Sequence, residues 1–126
     1  MINFIIDTSK EKIFLKIINN SKEYINKVNN SRENLDELVK IIFNFLEEVK
    51  ISLSKIDNIF INQGPGKYTS IRSSISIVKA LKTSKNINIY GYYSSQITNN
   101  DYNTLLKLLE EGRLTKDYIQ PKYSIK

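Results

Sequence analysis

The sequence predicts a mixed α/β fold whose sheet combines antiparallel and parallel strands. Three observations carry that expectation. The chain opens with three short apolar or alternating runs separated by turn signals. A long helical segment with an unusually wide apolar arc follows. A strand–helix–strand unit comes next, joined by a Gly-Pro-Gly turn, and such a unit implies a parallel pair with a right-handed crossover.

Taken in order, Asn3 to Ile6 reads as a short buried strand and Lys12 to Ile18 as an imperfectly alternating one. Asn19-Asn20-Ser21 marks a turn, and Glu23 to Val28 completes a three-stranded meander. One helix is expected from about Glu33 to Val49, with Ser31 as its N-cap and Glu33, Asp36 and Glu37 placing negative charge in its first turns. Leu35, Leu38, Val39, Ile41, Ile42, Phe43, Phe45, Leu46 and Val49 cover an arc of roughly 200°. A helix lying on its own sheet needs a stripe only about 100° wide. The excess points to a helix covered from two sides, by its own sheet and by a partner surface, the alternative being deep burial within its own domain. Ile59 to Ile61 is a further strand, Thr69 to Ser84 a second helix, and Asn86 to Tyr90 another short strand. Tyr102 to Glu111 forms a C-terminal helix stopped by Gly112. Pro121-Lys122-Tyr123 reads as an edge strand or tail, and the longest linker runs from Tyr92 to Asn100.

The turn Gly64-Pro65-Gly66 stands between a strand and a helix N-terminus. Two glycines permit positive φ, the proline fixes one angle, and exposed amides at a helix start can hold an anion. A P-loop would need a glycine where Ile61 stands and Ser or Thr where Tyr68 stands, so that match fails. A dinucleotide fingerprint would need glycine in place of Thr69 and fails too. A specialised turn remains, structural or anion-binding. The helix after it carries Ser70, Ser73, Ser74, Ser76 and Ala80. Ser73, Ile77, Ala80 and Ser84 form a stripe opposite Ile71, Ile75 and Val78. Small residues let another helix approach closely, and serine costs helix propensity, so packing or polar contacts are expected on that face.

Composition narrows the function classes. The 126 residues include no cysteine and no histidine, which removes disulfides, thiol nucleophiles, the usual zinc sites and histidine general bases. The net charge of +6 comes from dispersed lysines, 16 of the 19 basic residues, and dispersed lysine reads as solvated surface more than as a nucleic-acid site. The N-terminus lacks a basic leader, and no run approaches the roughly 18 apolar residues of a membrane span, so a cytoplasmic protein with no membrane contact is expected.

Several segments together resemble the TsaB (YeaZ) family. Asp7-Thr8-Ser9 follows the first strand; Ser52-Leu53-Ser54-Lys55-Ile56-Asp57 comes later. Gly64-Pro65-Gly66-Lys67-Tyr68-Thr69-Ser70-Ile71-Arg72 and Lys79-Ala80-Leu81 then appear in the family's order, and Gln120-Pro121-Lys122-Tyr123 is similar to its closing Pro-x-Tyr. The resemblance implies an actin-like, sugar-kinase-like (ASKHA, RNase H-like) N-terminal lobe over residues 1–95, with a mixed sheet and two long helices. Residues 96–126 then stand as a remnant of a second lobe that is largely missing. It implies a non-catalytic subunit that binds a TsaD-like catalytic subunit, the transferase forming threonylcarbamoyladenosine beside the tRNA anticodon, with a TsaE-like ATPase joining. Contact with tRNA would be indirect, ATP or ADP would lodge at the partner interface, and a homodimer is the implied alternative when the chain is alone. The interface would draw on Leu35, Leu38, Val39, Ile42, Phe45 and Leu46 of the first helix and on Ser70, Ser73, Ser74, Ile77, Ala80 and Ser84 of the second. The motif loops would comprise Asp7, Thr8, Ser9, Gly64, Pro65, Gly66, Tyr68, Thr69 and Arg72, with no metal site and no catalytic residue.

Two other classes compete. An autonomous ATP-binding enzyme of the actin-like fold would use Asp7 to hold a magnesium-bound water. A small basic RNA-binding domain would use Tyr90, Tyr92 and Tyr93 near Lys82 and Lys85.

Overall fold

The computed structural model describes residues 1–84, 86–98 and 101–122; Lys85, Tyr123 and the side chain of Ser84, all invoked above, lie outside the described residues. Its strands are β1 (Ile2–Asp7), β2 (Lys12–Asn19), β3 (Lys22–Asn29), β4 (Asn58–Asn62), β5 (Asn88–Tyr92) and β6 (Thr115–Lys116). Its helices are α1 (Arg32–Asp36), α2 (Leu38–Glu48), α3 (Tyr68–Ser84) and α4 (Tyr102–Glu110). The six strands form one sheet in the order β3-β2-β1-β4-β5-β6. The opening meander is antiparallel, β1 pairs with β4 and β4 with β5 in parallel, and β6 closes the far edge antiparallel to β5. This is the mixed α/β, actin-like lobe expected.

Central strands buried on both faces read as continuous apolar runs, and β1 and β4 do. Phe4, Ile5 and Ile6 of β1 and Ile59, Phe60 and Ile61 of β4 are fully buried. Their alternation divides the core into two layers. Phe4, Ile6, Ile59 and Ile61 meet α2 and α3 on one face, while Ile5 and Phe60 meet Leu105 and Leu108 of α4 on the other. Rows run across the α4 face in register. Asn3, Asn58 and Asn88 form an amide ladder, Asn58 Nδ2 donating to Asn3 Oδ1 at 2.8 Å and Asn88 Nδ2 to Asn58 Oδ1 at 3.3 Å. Ile5, Phe60 and Tyr90 form the apolar row above it, and Phe60 stacks on Tyr90 with centroids 5.6 Å apart. Residues 101–122 therefore lie on and beside the same sheet as the rest of the chain.

Two expectations need correction. The first helix is not continuous: it breaks at Glu37, whose φ of −101° and ψ of 14° leave the helical region. Ser31 does cap α1, its side chain accepting from the Asn34 N–H at 3.2 Å, but α1 buries no residue. The break lets α2 turn Leu38, Ile42, Phe45 and Leu46 onto the sheet. The strand expected at Asn86–Tyr90 lies two residues later, because its register follows β4, with Asn58 opposite Asn88 and Asn62 opposite Tyr92. Of the two readings offered for Pro121-Lys122-Tyr123, the described Pro121 and Lys122 fit the tail, without regular structure, and the edge strand is Thr115–Lys116. Gly112 ends α4 as expected, with a φ of 67° and the Arg113 N–H reaching the Leu108 carbonyl.

Candidate functional site

Asp7 ends β1 and its side chain turns back on its own loop. Its Oδ1 accepts from the Ser9 N–H at 2.9 Å and the Ser9 hydroxyl at 2.6 Å, and Asn62 Nδ2 adds a third bond at 3.2 Å. Aspartate offers the backbone this closure two residues on, which is why the loop bends there. Asp7 is only 2% exposed. Asn62 ends β4 and does the same for the second loop, its Oδ1 accepting from the Gly64 N–H at 2.7 Å. Asn62 also donates to Ser9 Oγ, and Ser94 joins the knot through Asn62 Oδ1 and the Pro65 carbonyl.

The glycines fit this knot for steric reasons. A Cβ on Gly66 would stand 2.5 Å from the Ser9 carbonyl oxygen. Gly64 has a φ of 99°, a conformation that L side chains rarely adopt. Lys67 N–H donates to the Ser9 carbonyl, so the two loops are docked backbone to backbone. Tyr92 lies beside them on β5. Burial first, and then the negative charge of Asp7, push its phenol well above the ordinary tyrosine value.

A second tier ties α3 to the first loop. Thr8 Oγ1 donates to Ser74 Oγ at 3.0 Å, and Ser70 Oγ donates to Asn30 Oδ1 at 2.9 Å while Asn30 Nδ2 holds the Thr8 and Lys10 carbonyls. Ser70 and Ser74 are buried. The serines that cost α3 propensity thus include two used inside the lobe.

Beside this knot the surface opens. Two adjoining grooves, about 410 and 590 Å³, run between α1 and the first half of α3 and share Leu35, Tyr68, Thr69 and Ser73. Arg72 and Ile77 line one, and Arg32, Asp36 and Lys67 line the other. Lys67 lies 3.6 Å from Glu11 in an exposed ion pair.

The structure sorts the expected site residues into three sets. Asp7, Thr8, Ser9, Gly64, Pro65 and Gly66 come together in the loop knot. Leu35, Tyr68, Thr69, Arg72, Ser73 and Ile77 line the groove, with Val39 exposed on α2 and Ala80 on α3. Leu38, Ile42, Phe45, Leu46, Ser70 and Ser74 are buried in the lobe, Ser70 also lining the second groove. Sequence reasoning missed Asn30, Asn62 and Ser94. Asn62 carried a signal, since asparagine two residues before a glycine is an Asx-turn pattern; in an asparagine-rich chain it did not stand out. Among the described residues, no three His, Cys, Asp or Glu side chains gather where they could hold a metal ion.

A sequence model of the family described as TsaD, tRNA N6-adenosine threonylcarbamoyltransferase, matches residues 12–100. The chain belongs to that family. No curated protein matches it in sequence. Among solved structures, this TsaD-family chain is similar to YeaZ from Pseudomonas aeruginosa, with a TM-score of 0.70 and 21% identity over 88% of this chain and 50% of that one. A protein described as similar to peptidase YeaZ from Pseudomonas aeruginosa gives a TM-score of 0.67 at 22% identity, covering 73% of this chain and 43% of that one. T. thermophilus RuvC in complex with a Holliday junction substrate gives 0.60 at 9% identity, over 92% of this chain and 99% of that one. These likenesses establish the fold. The chain spans about half the length of the YeaZ structure. Among the described residues, no helix of this TsaD-family chain is long and apolar enough to cross a membrane.

Proposed function

We propose that this chain is a TsaB-like, non-catalytic subunit that docks on a TsaD-like transferase and supports formation of threonylcarbamoyladenosine beside the tRNA anticodon. One observation carries the reading: an open groove between α1 and α3 with apolar and small residues on its walls, Leu35, Ile77 and Ser73 among them. Val39 and Phe43 of α2 add exposed apolar area at 48% and 43%. Helices that present small residues next to aliphatic ones pack closely against other helices. The loop knot supports the non-catalytic part, because the Asp7 carboxylate is buried and closes its own turn. A TsaE-like ATPase would join the assembly, nucleotide would lodge between subunits, and tRNA would be held mainly by the partner.

Co-expression with the TsaD-like subunit of the same genome, followed by size-exclusion chromatography, tests this. A stable complex is expected. Ala80→Arg and Phe43→Glu, both at exposed positions, should abolish it while leaving the isolated chain's circular dichroism unchanged. A complex indifferent to both substitutions would move the interface elsewhere; a chain that ignores the transferase would end the reading.

Direct RNA binding is the second reading, favoured by cations over rings near the C-terminus. Lys116 Nζ lies 5.8 Å from the Tyr90 ring centroid, Lys122 Nζ lies 5.1 Å from that of Tyr93, and Tyr118 is widely exposed. Salt-sensitive binding of tRNA by the isolated chain, lost in Tyr118→Ala, would support it.

A further inference from the structure

On the face of the sheet away from the α1–α3 groove, a separate cavity of about 460 Å³ lies between α4 and a short 3-10 turn, Ser94–Gln96. Tyr93 alone separates that turn from the carboxyl end of β5. The carboxyl ends of parallel strands are where open α/β sheets gather their ligand sites. Gln96 frames the cavity. Its Oε1 accepts the Tyr93 N–H at 2.8 Å, and its Nε2 donates to the Arg113 carbonyl at 3.3 Å. The Arg113 N–H in turn reaches the Leu108 carbonyl at 2.9 Å, past the positive φ of Gly112. The turn and the end of α4 are thus tied together by the chain itself.

The lining is polar. Lys107 and Arg113 bring two cations, and among the described residues neither the Lys107 ammonium nor the Ser95 hydroxyl has a partner. Arg113 meets Glu111 at 3.4 Å, but both side chains are exposed, so the pair is weak and leaves guanidinium N–H groups over. Thr104 donates its hydroxyl proton to Asp101 at 2.7 Å and keeps its lone pairs for an incoming hydroxyl. Two cations beside a free hydroxyl suit a phosphate group, which takes charge-assisted hydrogen bonds from both. Glu111 does not suit a bare anion, because its charge repels one. A carboxylate beside hydroxyl and amide groups does suit a polyhydroxy body, whose O–H groups donate to it. Among the described residues Leu108 is the one apolar side chain in the lining, and no aromatic ring lies there to stack a nucleobase. The volume falls in the range of small-molecule sites.

We propose that this cavity binds a small phosphorylated polyol, a sugar phosphate, with Lys107 and Arg113 on the phosphate and Glu111, Thr104 and Gln96 on the hydroxyl groups. It shares no residue with the α1–α3 groove, so it stands or falls apart from docking on a transferase. Titration of the isotope-labelled chain with ribose 5-phosphate, followed by amide NMR shifts, tests it. Saturable shifts are expected around Gln96, Lys107 and Arg113, with a dissociation constant of about 1 mM or below. Ribose should produce none, and inorganic phosphate should bind about fivefold more weakly or worse. Lys107→Ala and Arg113→Ala should each raise the dissociation constant for the sugar phosphate about tenfold. Glu111→Ala separates the two halves of the ligand: it should weaken the sugar phosphate and strengthen inorganic phosphate. All three residues are exposed, and the circular dichroism of each variant should match that of the parent. The absence of saturable shifts up to about 10 mM sugar phosphate overturns the proposal. So does binding unchanged in both cation variants. Inorganic phosphate that binds as tightly as the sugar phosphate overturns it too, leaving an adventitious anion contact only.

Discussion

Gly66 is fixed by the backbone it touches. Its missing Cβ leaves room for the Ser9 carbonyl, and no rotamer change can relieve that contact because the obstructing atom is main chain. Gly66→Ala should therefore cost about 1–3 kcal/mol in urea denaturation, through displacement of two docked loops. Tyr92 makes a second prediction, in pH. Its folded-state proton is held more tightly than in the unfolded chain, by burial and by Asp7. Its contribution to stability is intact below about pH 10 and is lost as pH rises past that value, where the unfolded phenol ionises first. Tyr92→Phe should flatten the fall in urea midpoint between about pH 9 and pH 11; parallel profiles would show that the phenol contributes nothing. At this scale the sequence displayed the glycines and Asp7 plainly. It hid Asn62 and Asn30, whose roles depend on loops that meet only after folding.

For the elements, periodicity located every long strand and helix but could not decide which part of an apolar arc is inward. The arc first read as one helix is divided among a short capped α1, the buried stripe of α2 and an exposed flank. Leu38 and Val39 are adjacent in sequence and opposite in circumstance. Leu38→Ala should cost about 2–4 kcal/mol, as for other fully buried leucines, whereas Val39→Ala should stay within about 0.5 kcal/mol. Thermal melts of the two variants check the division directly. Comparable losses would mean that the isolated chain covers the Val39 flank after all. The same reasoning explains the displaced β5. A short apolar strand is placed by its pairing with β4 more than by its own residues.

Across the whole molecule, the sheet carries helices on both faces, and the second layer is the smaller. Leu105 of α4 is fully buried over Ile5, Phe60 and Tyr92. Leu105→Ala should lower stability by about 2–4 kcal/mol while preserving one cooperative transition, because both layers share β1 and β4. Two separate transitions in the variant would mean that the α4 layer melts on its own. The arrangement also sorts surface from interior for function. Among the described residues, the groove beside the loop knot turns apolar walls outward, and Val39, Phe43 and Tyr118 are exposed besides.

By itself the sequence determined the fold class, the antiparallel opening, the Gly-Pro-Gly turn and the absence of thiol and imidazole chemistry. Those follow from local rules, alternation, helical spacing and turn residues, which act over a few positions. Tertiary structure decided which serines and leucines serve the interior, that Asn62, closing its own loop, also bonds to Asp7, which closes the other, and that α4 lies on the same sheet. Each of these depends on β1 lying beside β4, a pairing that sets Asn3 against Asn58 across 55 residues of chain. Contacts of that separation are selected by the burial of two whole faces at once, which no local window of sequence contains.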